Sequence, residues 1–265
     1  MAKKKSSTRT LDDLGFRNIK IVLEYNGTHY HGFQRQPGRL TIQEALEEVL
    51  SRVLSRPMKI KSASGRTDTG VHAAGQIVNF LTESELPLWR IQKSLNALLP
   101  HDIAVTGIEE VPAEFHARFS AKSKVYEYRV WNAPYRSPIQ GERAWHISIP
   151  LDRPAMRKAM GYLKGLHDFK SFANVDPARK EGSSTRRRIS RFELKCAGPL
   201  LRFRVEADGF LYHMVRNLAG TLIEVGCGKI KPEAVKDVLL ARDRRKAGRT
   251  APASGLCLIE VFYGG

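Results

Sequence analysis

S-G-R-T-D-T-G-V-H-A-A-G-Q-I-V-N-F, running from Ser64 to Phe80, is the stretch from which the rest of the chain can be read. The run Met58 to Ala63 ends just before it and is predicted as a strand. Gln76 to Phe80 is predicted as the next strand. The loop between them is punctuated by Gly65, Gly70 and Gly75, which let the backbone turn sharply or approach a ligand closely. It carries one carboxylate, Asp68, with Arg66 two residues before it and His72 four after. A loop at the ends of two strands is a place where a rigid sheet can present a reactive group.

Three roles for Asp68 stay open on these residues alone. It can simply tie up its own turn, as Asp in glycine-rich loops often does. D-T-G also occurs in aspartic proteases, whose chemistry needs two carboxylates sharing a proton. The sequence has no second D-T-G, so a homodimer would have to supply it. An arginine beside such a dyad would lower its pKa and oppose the shared proton. In the third role, a single ionised aspartate held by arginine acts as a nucleophile.

Outward from this loop the pattern becomes regular. Ile19 to Tyr25 reads as a strand. Thr41 to Leu54 reads as a helix, with Thr41 as its cap, Glu44 three residues on, and an apolar face of Ile42, Leu46, Val49, Leu50 and Val53. Leu88 to Leu99 is predicted as a helix ended by Pro100, and Ile103 to Glu109 as a strand. The order is β-α-β-β-α-β, a split βαβ unit. The second half repeats it. Lys124 to Trp131 is a strand with a companion near Arg143 to Ile149, and Leu151 to Leu163 is a helix. Thr185 to Cys196 and Leu200 to Ala207 form a hairpin-like pair. Two helices follow, Tyr212 to Val225 and Lys231 to Leu239, then a strand from Gly255 to Tyr263. Gly165 to Phe172 reads as a loop.

The expected fold is therefore α+β: two ferredoxin-like halves, residues 18–112 and 113–265, with sheets joined side by side around a basic central cleft. The first half carries the Asp68 loop. Residues 1–17 are expected to be a disordered basic arm. The repetition is one of pattern, with no residue-level repeat.

Composition narrows the function. Apolar residues make up 42% of the 265, enough for a buried core. No run of about 18 apolar residues exists, so no membrane span is expected. The opening M-A-K-K-K-S-S-T-R-T has no apolar segment behind its charges, so no secretory signal is expected. Cys196, Cys227 and Cys257 are far apart and odd in number, which fits reduced thiols in the cytoplasm. No Cys/His pair has zinc-site spacing, and no metal is expected. His29 and His31 are read as ordinary polar residues or substrate contacts. The formal net charge is +17. Residues 1–18 hold five Lys/Arg and two Asp, so most of the surplus lies in the folded remainder. Such a surplus calls for a polyanion, with nucleic acid the first candidate. It gathers at Arg186-Arg187-Arg188, at Lys122 and Lys124, and from Arg242 through Arg249.

Four further stretches can carry chemistry. Tyr25 to Gln36, Y-N-G-T-H-Y-H-G-F-Q-R-Q, offers a turn followed by aromatics and amides suited to bases or ribose, or else a hairpin with core aromatics. In Phe115 to Tyr128, alternation puts Tyr126 and Tyr128 on one strand face. A tyrosine there can stack on a base between basic neighbours, or serve cross-strand packing. In Gly209 to Gly226, Leu211, Met214, Val215, Leu218, Leu222 and Val225 form a buried helix face with Arg216 next to it. An unpaired buried guanidinium is costly, so a carboxylate partner is expected, with Asp68 the candidate. Asp168, in G-L-H-D-F-K-S-F, is the rival acid, but its motif contains no arginine.

G-R-T-D-T-G-V-H-A closely resembles the signature of tRNA pseudouridine synthases of the TruA family. The resemblance extends to Y-N-G-T-H-Y-H-G-F-Q, L-N-A-L-L-P-H-D-I-A-V, F-H-A-R-F-S-A, the Y-E-Y pair, G-L-H-D-F-K-S-F, F-L-Y-H-M-V-R-N and A-P-A-S-G-L-C-L, in the family's order from about Ile19 to Tyr263. Asn26 and Phe33 depart from it, standing where the family usually has Asp and Trp. The resemblance implies isomerisation of uridine to pseudouridine on the 3′ side of the tRNA anticodon stem-loop, a homodimer, and no cofactor. It implies Asp68 as nucleophile, Arg66 as the arginine that flips the base, Tyr126 as the active-site tyrosine that stacks and can serve as base, and Arg216 as the partner of Asp68. Tyr25, Gln34, Thr67 and His72 are expected to contact substrate, as are the basic Lys122, Lys124, Arg186, Arg187 and Arg188. The rival from another class is a noncatalytic RNA-binding module that kept the basic cleft; retention of Asp68 speaks against it.

Overall fold

The computed structural model describes residues 15–176 and 182–264. Most of the expected N-terminal arm, residues 1–14, lies outside them. The arm was drawn too long at its far end: Arg17 already belongs to the first strand, where its guanidinium binds Glu110 at 2.9 Å and the Ser84 carbonyl at 2.8 Å.

The elements follow the expected order. In the first half they are β1 (Arg17–Tyr25), α1 (Ile42–Val53), β2 (Ser62–Ala63), β3 (His72–Thr82), α2 (Leu88–Leu98) and β4 (Ile103–Val111). In the second they are β5 (Ala121–Asn132), β6 (Trp145–Ile147), α3 (Arg153–Gly161), β7 (Gly165–Asp168), β8 (Arg186–Ala197), β9 (Leu200–Ala207), α4 (Met214–Gly226), α5 (Ala234–Ala241) and β10 (Leu256–Tyr263). All strands join one sheet in the order β4-β1-β3-β10-β5-β9-β8-β7, with β2 beside β3 and β6 beside β5. The two halves meet where β10 pairs parallel to β3, Cys257 opposite His72 and Leu258 opposite Ala73. The start of β3 is thus the seam of the molecule, and Asp68 stands four residues before it.

Period-two alternation makes the strands amphipathic. Ile19, Ile21 and Leu23 of β1 are fully buried, as are Leu201, Val205 and Ala207 of β9. They pack with the apolar faces of the helices, Leu46 and Leu50 of α1 and Leu218 and Leu222 of α4 among them, into one contiguous core. Thr41 caps α1 as expected, its hydroxyl accepting from the Glu44 amide at 3.3 Å.

Three local expectations need correction. Met58 to Ala63 is not a full strand; only Ser62 and Ala63 pair with β3. The donors upstream are taken by α1 instead: the Ser51 hydroxyl accepts from the Met58 amide and the Glu47 carboxylate from the Ile60 amide. Gly165 to Phe172 is not a plain loop. Its first four residues are edge strand β7, paired to β8, and Lys170–Phe172 form a 3₁₀ turn. The N-G pair closes no hairpin. Asn26 accepts from the Thr28 amide and hydroxyl, and the chain runs on to α1. Among the described residues, no helix is long and apolar enough to cross a membrane.

Candidate active site

The Asp68 loop is held by its backbone. The Gly65 carbonyl accepts from the Gln76 side-chain amide at 2.7 Å, and the Thr67 carbonyl from the Phe33 amide at 3.0 Å. The Asp68 carbonyl accepts from the Val71 amide at 3.1 Å, and the Ser64 carbonyl takes the Lys124 ammonium. The Tyr25 and Thr67 hydroxyls share a hydrogen bond of 2.7 Å. Four consecutive-region carbonyls are therefore satisfied without water, which fixes the loop before any substrate arrives. The segment after Tyr25 packs directly on it. A Cβ at Gly27 would sit 2.0 Å from the Val71 carbonyl oxygen, so only glycine permits that approach.

Asp68 projects toward α4. Its Oδ2 lies 3.4 Å from Arg216 Nη1 and 3.3 Å from His213 Nε2. The pairing expected for Arg216 is present, and a second bond fixes the guanidinium: Nε donates to the Ala251 carbonyl at 2.8 Å. His213 was missed in the sequence. Its signal was the H in L-Y-H-M-V-R, one helical turn before Arg216. Tyr126 is buried, and its ring meets Phe210 edge-on at 5.0 Å between centroids. Burial, reinforced by the Asp68 carboxylate, pushes its phenol well above the ordinary value, so it stays protonated at neutral pH.

These groups share a cavity of about 1120 Å³ whose lining includes Asp68, Arg66, Thr67, Gln34, Tyr126 and Arg216. Such a volume lies slightly above the ordinary range of small-ligand pockets. Lys124 also lines it. Burial, with Arg118 and Arg187 adding like charge, lowers its ammonium to about 8. Arg66 is exposed and makes no hydrogen bond or ion pair among the described residues. Phe33, at a departure from the family pattern, lies at the cavity wall with only 1% of its surface exposed.

Other expected contacts lie elsewhere. Tyr25 and His72 are buried outside the cavity lining. His72 accepts from the Gly27 amide with Nδ1 and faces the Glu142 and Ser254 carbonyls with Nε2, tying both halves at the seam. Burial lowers its pKa, outweighing the two carbonyls. Lys122, Arg186 and Arg188 are exposed, and Arg187 half-buried, outside the lining. The rival acid Asp168 is occupied by Thr185, the Lys170 amide and Arg242. In the cluster from Arg242 through Arg249 only Arg244 is half-buried, while Arg242, Arg245, Lys246 and Arg249 are exposed. Arg244 holds Asn174, Asn217 and Thr250, Arg245 pairs with Asp243, and Arg249 lies over the Trp145 ring. Among the described residues, no group of three or more His, Cys, Asp or Glu is arranged to hold a metal ion.

A family model described as tRNA pseudouridine synthase matches residues 21–120 and 159–264. A protein of Acetivibrio thermocellus named tRNA pseudouridine synthase A is 42% identical over 250 residues, covering 93% of this chain and all of its own. Its namesake in Geobacillus kaustophilus is 46% identical over 248 residues, covering 93% of this chain and 95% of its own. One in Bacillus pumilus is 45% identical over 246 residues, covering 92% and 98%. With the family matched on both sides of the seam and relatives aligned nearly end to end, the chain belongs to the tRNA pseudouridine synthase family.

Proposed function

We propose that the protein isomerises uridine to pseudouridine in tRNA, with Asp68 as the nucleophile. The observation that carries this reading is the Asp68 carboxylate, paired with Arg216 and His213, at the wall of a cavity shared with a buried tyrosine and an uncommitted arginine. A stacked uridine cannot bring C6 or C1′ to a carboxylate; the nucleotide must leave the stack. Arg66, exposed in the cavity lining and without a partner among the described residues, would fill the gap it leaves. Tyr126 would then lie against the uracil.

The carboxylate oxygen forms a bond to C6 of the ring or to C1′ of the ribose, and the N1–C1′ bond breaks. The uracil turns and C5 bonds to C1′. The proton on C5 leaves, N1 gains one, and the carboxylate is released. Atoms and electrons balance with no redox partner, cofactor or hydrolysis. Residues 18–112 supply Asp68 and Arg66 in this reading, and residues 113–265 supply Tyr126, His213 and Arg216. The resemblance adds the 3′ side of the anticodon stem-loop as the target and a homodimer as the working form. Lys124, Arg118 and the basic start of β8 would meet the tRNA backbone, so affinity should fall steeply with salt.

The test is tritium release from tRNA labelled at C5 of uridine, with wild type and Asp68→Ala side by side. Release by wild type alone supports both the reaction and the role of Asp68. No release by either protein, with tRNA binding intact, favours a binding module. Full activity in the variant removes Asp68 as nucleophile.

A further inference from the structure

We infer that Phe119 is a stacking platform for an unpaired tRNA nucleobase beside the uridine that enters the cavity, an inference that rests on the function proposed above. Single exposed apolar side chains are ordinary on protein surfaces. Phe119 differs in three ways. It is 76% exposed, and it lines the same cavity as Asp68. One ring face is already covered: His116 stacks on it with centroids 4.4 Å apart and planes 28° from parallel. The Arg118 guanidinium lies over the ring, 5.6 Å from its centroid, and brings a cation to any nucleotide that docks beside it.

The platform is also rigid. His116 Nδ1 accepts from the backbone amides of Arg118 and Phe119, both at 3.2 Å. That makes Nδ1 the acceptor and leaves the proton on Nε2. The His116 amide donates to the Ser120 hydroxyl at 3.1 Å, and its carbonyl accepts from the Ser120 amide at 2.9 Å. The turn is anchored below by the buried Asn79, whose side-chain oxygen accepts from the Ala117 amide at 3.1 Å. An aromatic ring displayed this way loses little conformational freedom when a base lands on it. Stacking on aromatic side chains is how single-stranded nucleotides are held without reading their identity. Tyr126 is buried and Phe119 exposed in the same lining, so the two rings would hold different nucleotides: the target against Tyr126 and a neighbour on Phe119.

The test compares Phe119→Leu, which keeps an apolar side chain without a π face, with Phe119→Tyr, which keeps the ring. Tritium release and tRNA affinity are measured at one salt concentration. Anticodon stem-loop RNAs with 2-aminopurine at successive loop positions report stacking by fluorescence. Phe119→Leu should lose about tenfold or more in kcat/KM and in affinity, and Phe119→Tyr should stay within about threefold of wild type. Quenching of 2-aminopurine at one position on binding wild type should be lost with Phe119→Leu only. Leu and Tyr variants that both match wild type would overturn the platform while leaving the synthase reading intact. If wild type binds RNA without releasing tritium, the synthase reading fails, and the affinity and fluorescence comparison still decides the platform.

Discussion

His213 Nε2 lies 3.3 Å from Asp68 Oδ2, the same oxygen that Arg216 Nη1 approaches at 3.4 Å. His213 has φ 59°, in the left-handed region that non-glycine residues seldom occupy. It stands immediately before α4, its ring stacked on Tyr212 at 3.9 Å. Among the described residues its Nδ1 is buried without a hydrogen-bond partner. Backbone strain and an orphaned polar atom both cost stability, and both occur at the ring whose other nitrogen faces the carboxylate.

Replacing His213 by Asn separates strain from function. Asn tolerates the left-handed conformation well but is too short to reach Asp68. The thermal midpoint should stay within a few degrees of wild type. Single-turnover tritium release should slow by about tenfold or more, the value of one hydrogen bond to a charged group. An unchanged rate would show that His213 only fills space.

Arg216 is expected to serve stability as well as turnover. Its side chain is 15% exposed, and it bridges the Ala251 carbonyl and Asp68. Arg216→Leu should cost ~1–3 kcal/mol in urea unfolding and remove most activity. Arg216→Lys should recover stability only in part, because one ammonium cannot replace a planar fork that holds two acceptors. A leucine variant with normal stability and rate would dissolve the pairing argument.

How much of this was legible in the sequence depended on how local each signal was. The helix faces, the Thr41 cap and the β8–β9 hairpin rest on period and short-range capping, and they were read correctly. Arg216 was located by energetics: a guanidinium beside an apolar helix face must find a carboxylate. His213 escaped because its role depends on a left-handed backbone angle that no spacing rule predicts. His72 and Tyr25 were expected to contact substrate, and neither burial was legible. His72 is covered where β3 pairs with β10, and Tyr25, the last residue of β1, is buried with its hydroxyl on Thr67. In the basic run from Arg242 through Arg249, side-chain partners were not legible where they fold in from elsewhere. Arg242 and Arg244 reach Asp168, Asn174 and Asn217, distant in sequence, whereas Arg245 pairs with the neighbouring Asp243.

Gly32 should not tolerate a side chain. Its φ is +88°, and a Cβ there would lie 2.7 Å from the Thr67 carbonyl oxygen and 3.2 Å from the Asp68 carbonyl carbon. Gly32→Ala should lose ~1–3 kcal/mol from backbone strain alone and displace the Asp68 loop. Turnover should fall further than stability accounts for, at a temperature where the variant is fully folded. Wild-type turnover in a folded Gly32→Ala protein would mean that the loop position is not critical.

His72 should make the fold sensitive to mild acid. Burial lowers its folded-state pKa below the ordinary 6.5. Between those two values the unfolded chain binds a proton that the folded one does not, so stability is present above about pH 6.5 and lost as pH falls through that window. The thermal midpoint of wild type should drop more between pH 7.5 and pH 5.5 than that of His72→Gln. Parallel curves for the two proteins would place the acid sensitivity elsewhere.

Lys124 gives a stability signature of the same sign at higher pH, and a functional one besides. Burial, then Arg118 and Arg187, lower its ammonium from 10.5 to about 8. Between those values the unfolded chain again holds more protons, so its contribution makes stability rise with pH from about 8 to 10.5. Binding has the reverse sense, because a phosphate favours the charged form. As pH passes through 8, that cation is lost from the cavity wall and tRNA affinity should weaken. Lys124→Met should bind tRNA less tightly at pH 7 and show a flatter pH dependence up to pH 9. Filter binding of tRNA at fixed salt across pH 7 to 9 would measure both. Equal slopes for wild type and Lys124→Met would show that this lysine holds the Ser64 carbonyl and nothing of the RNA.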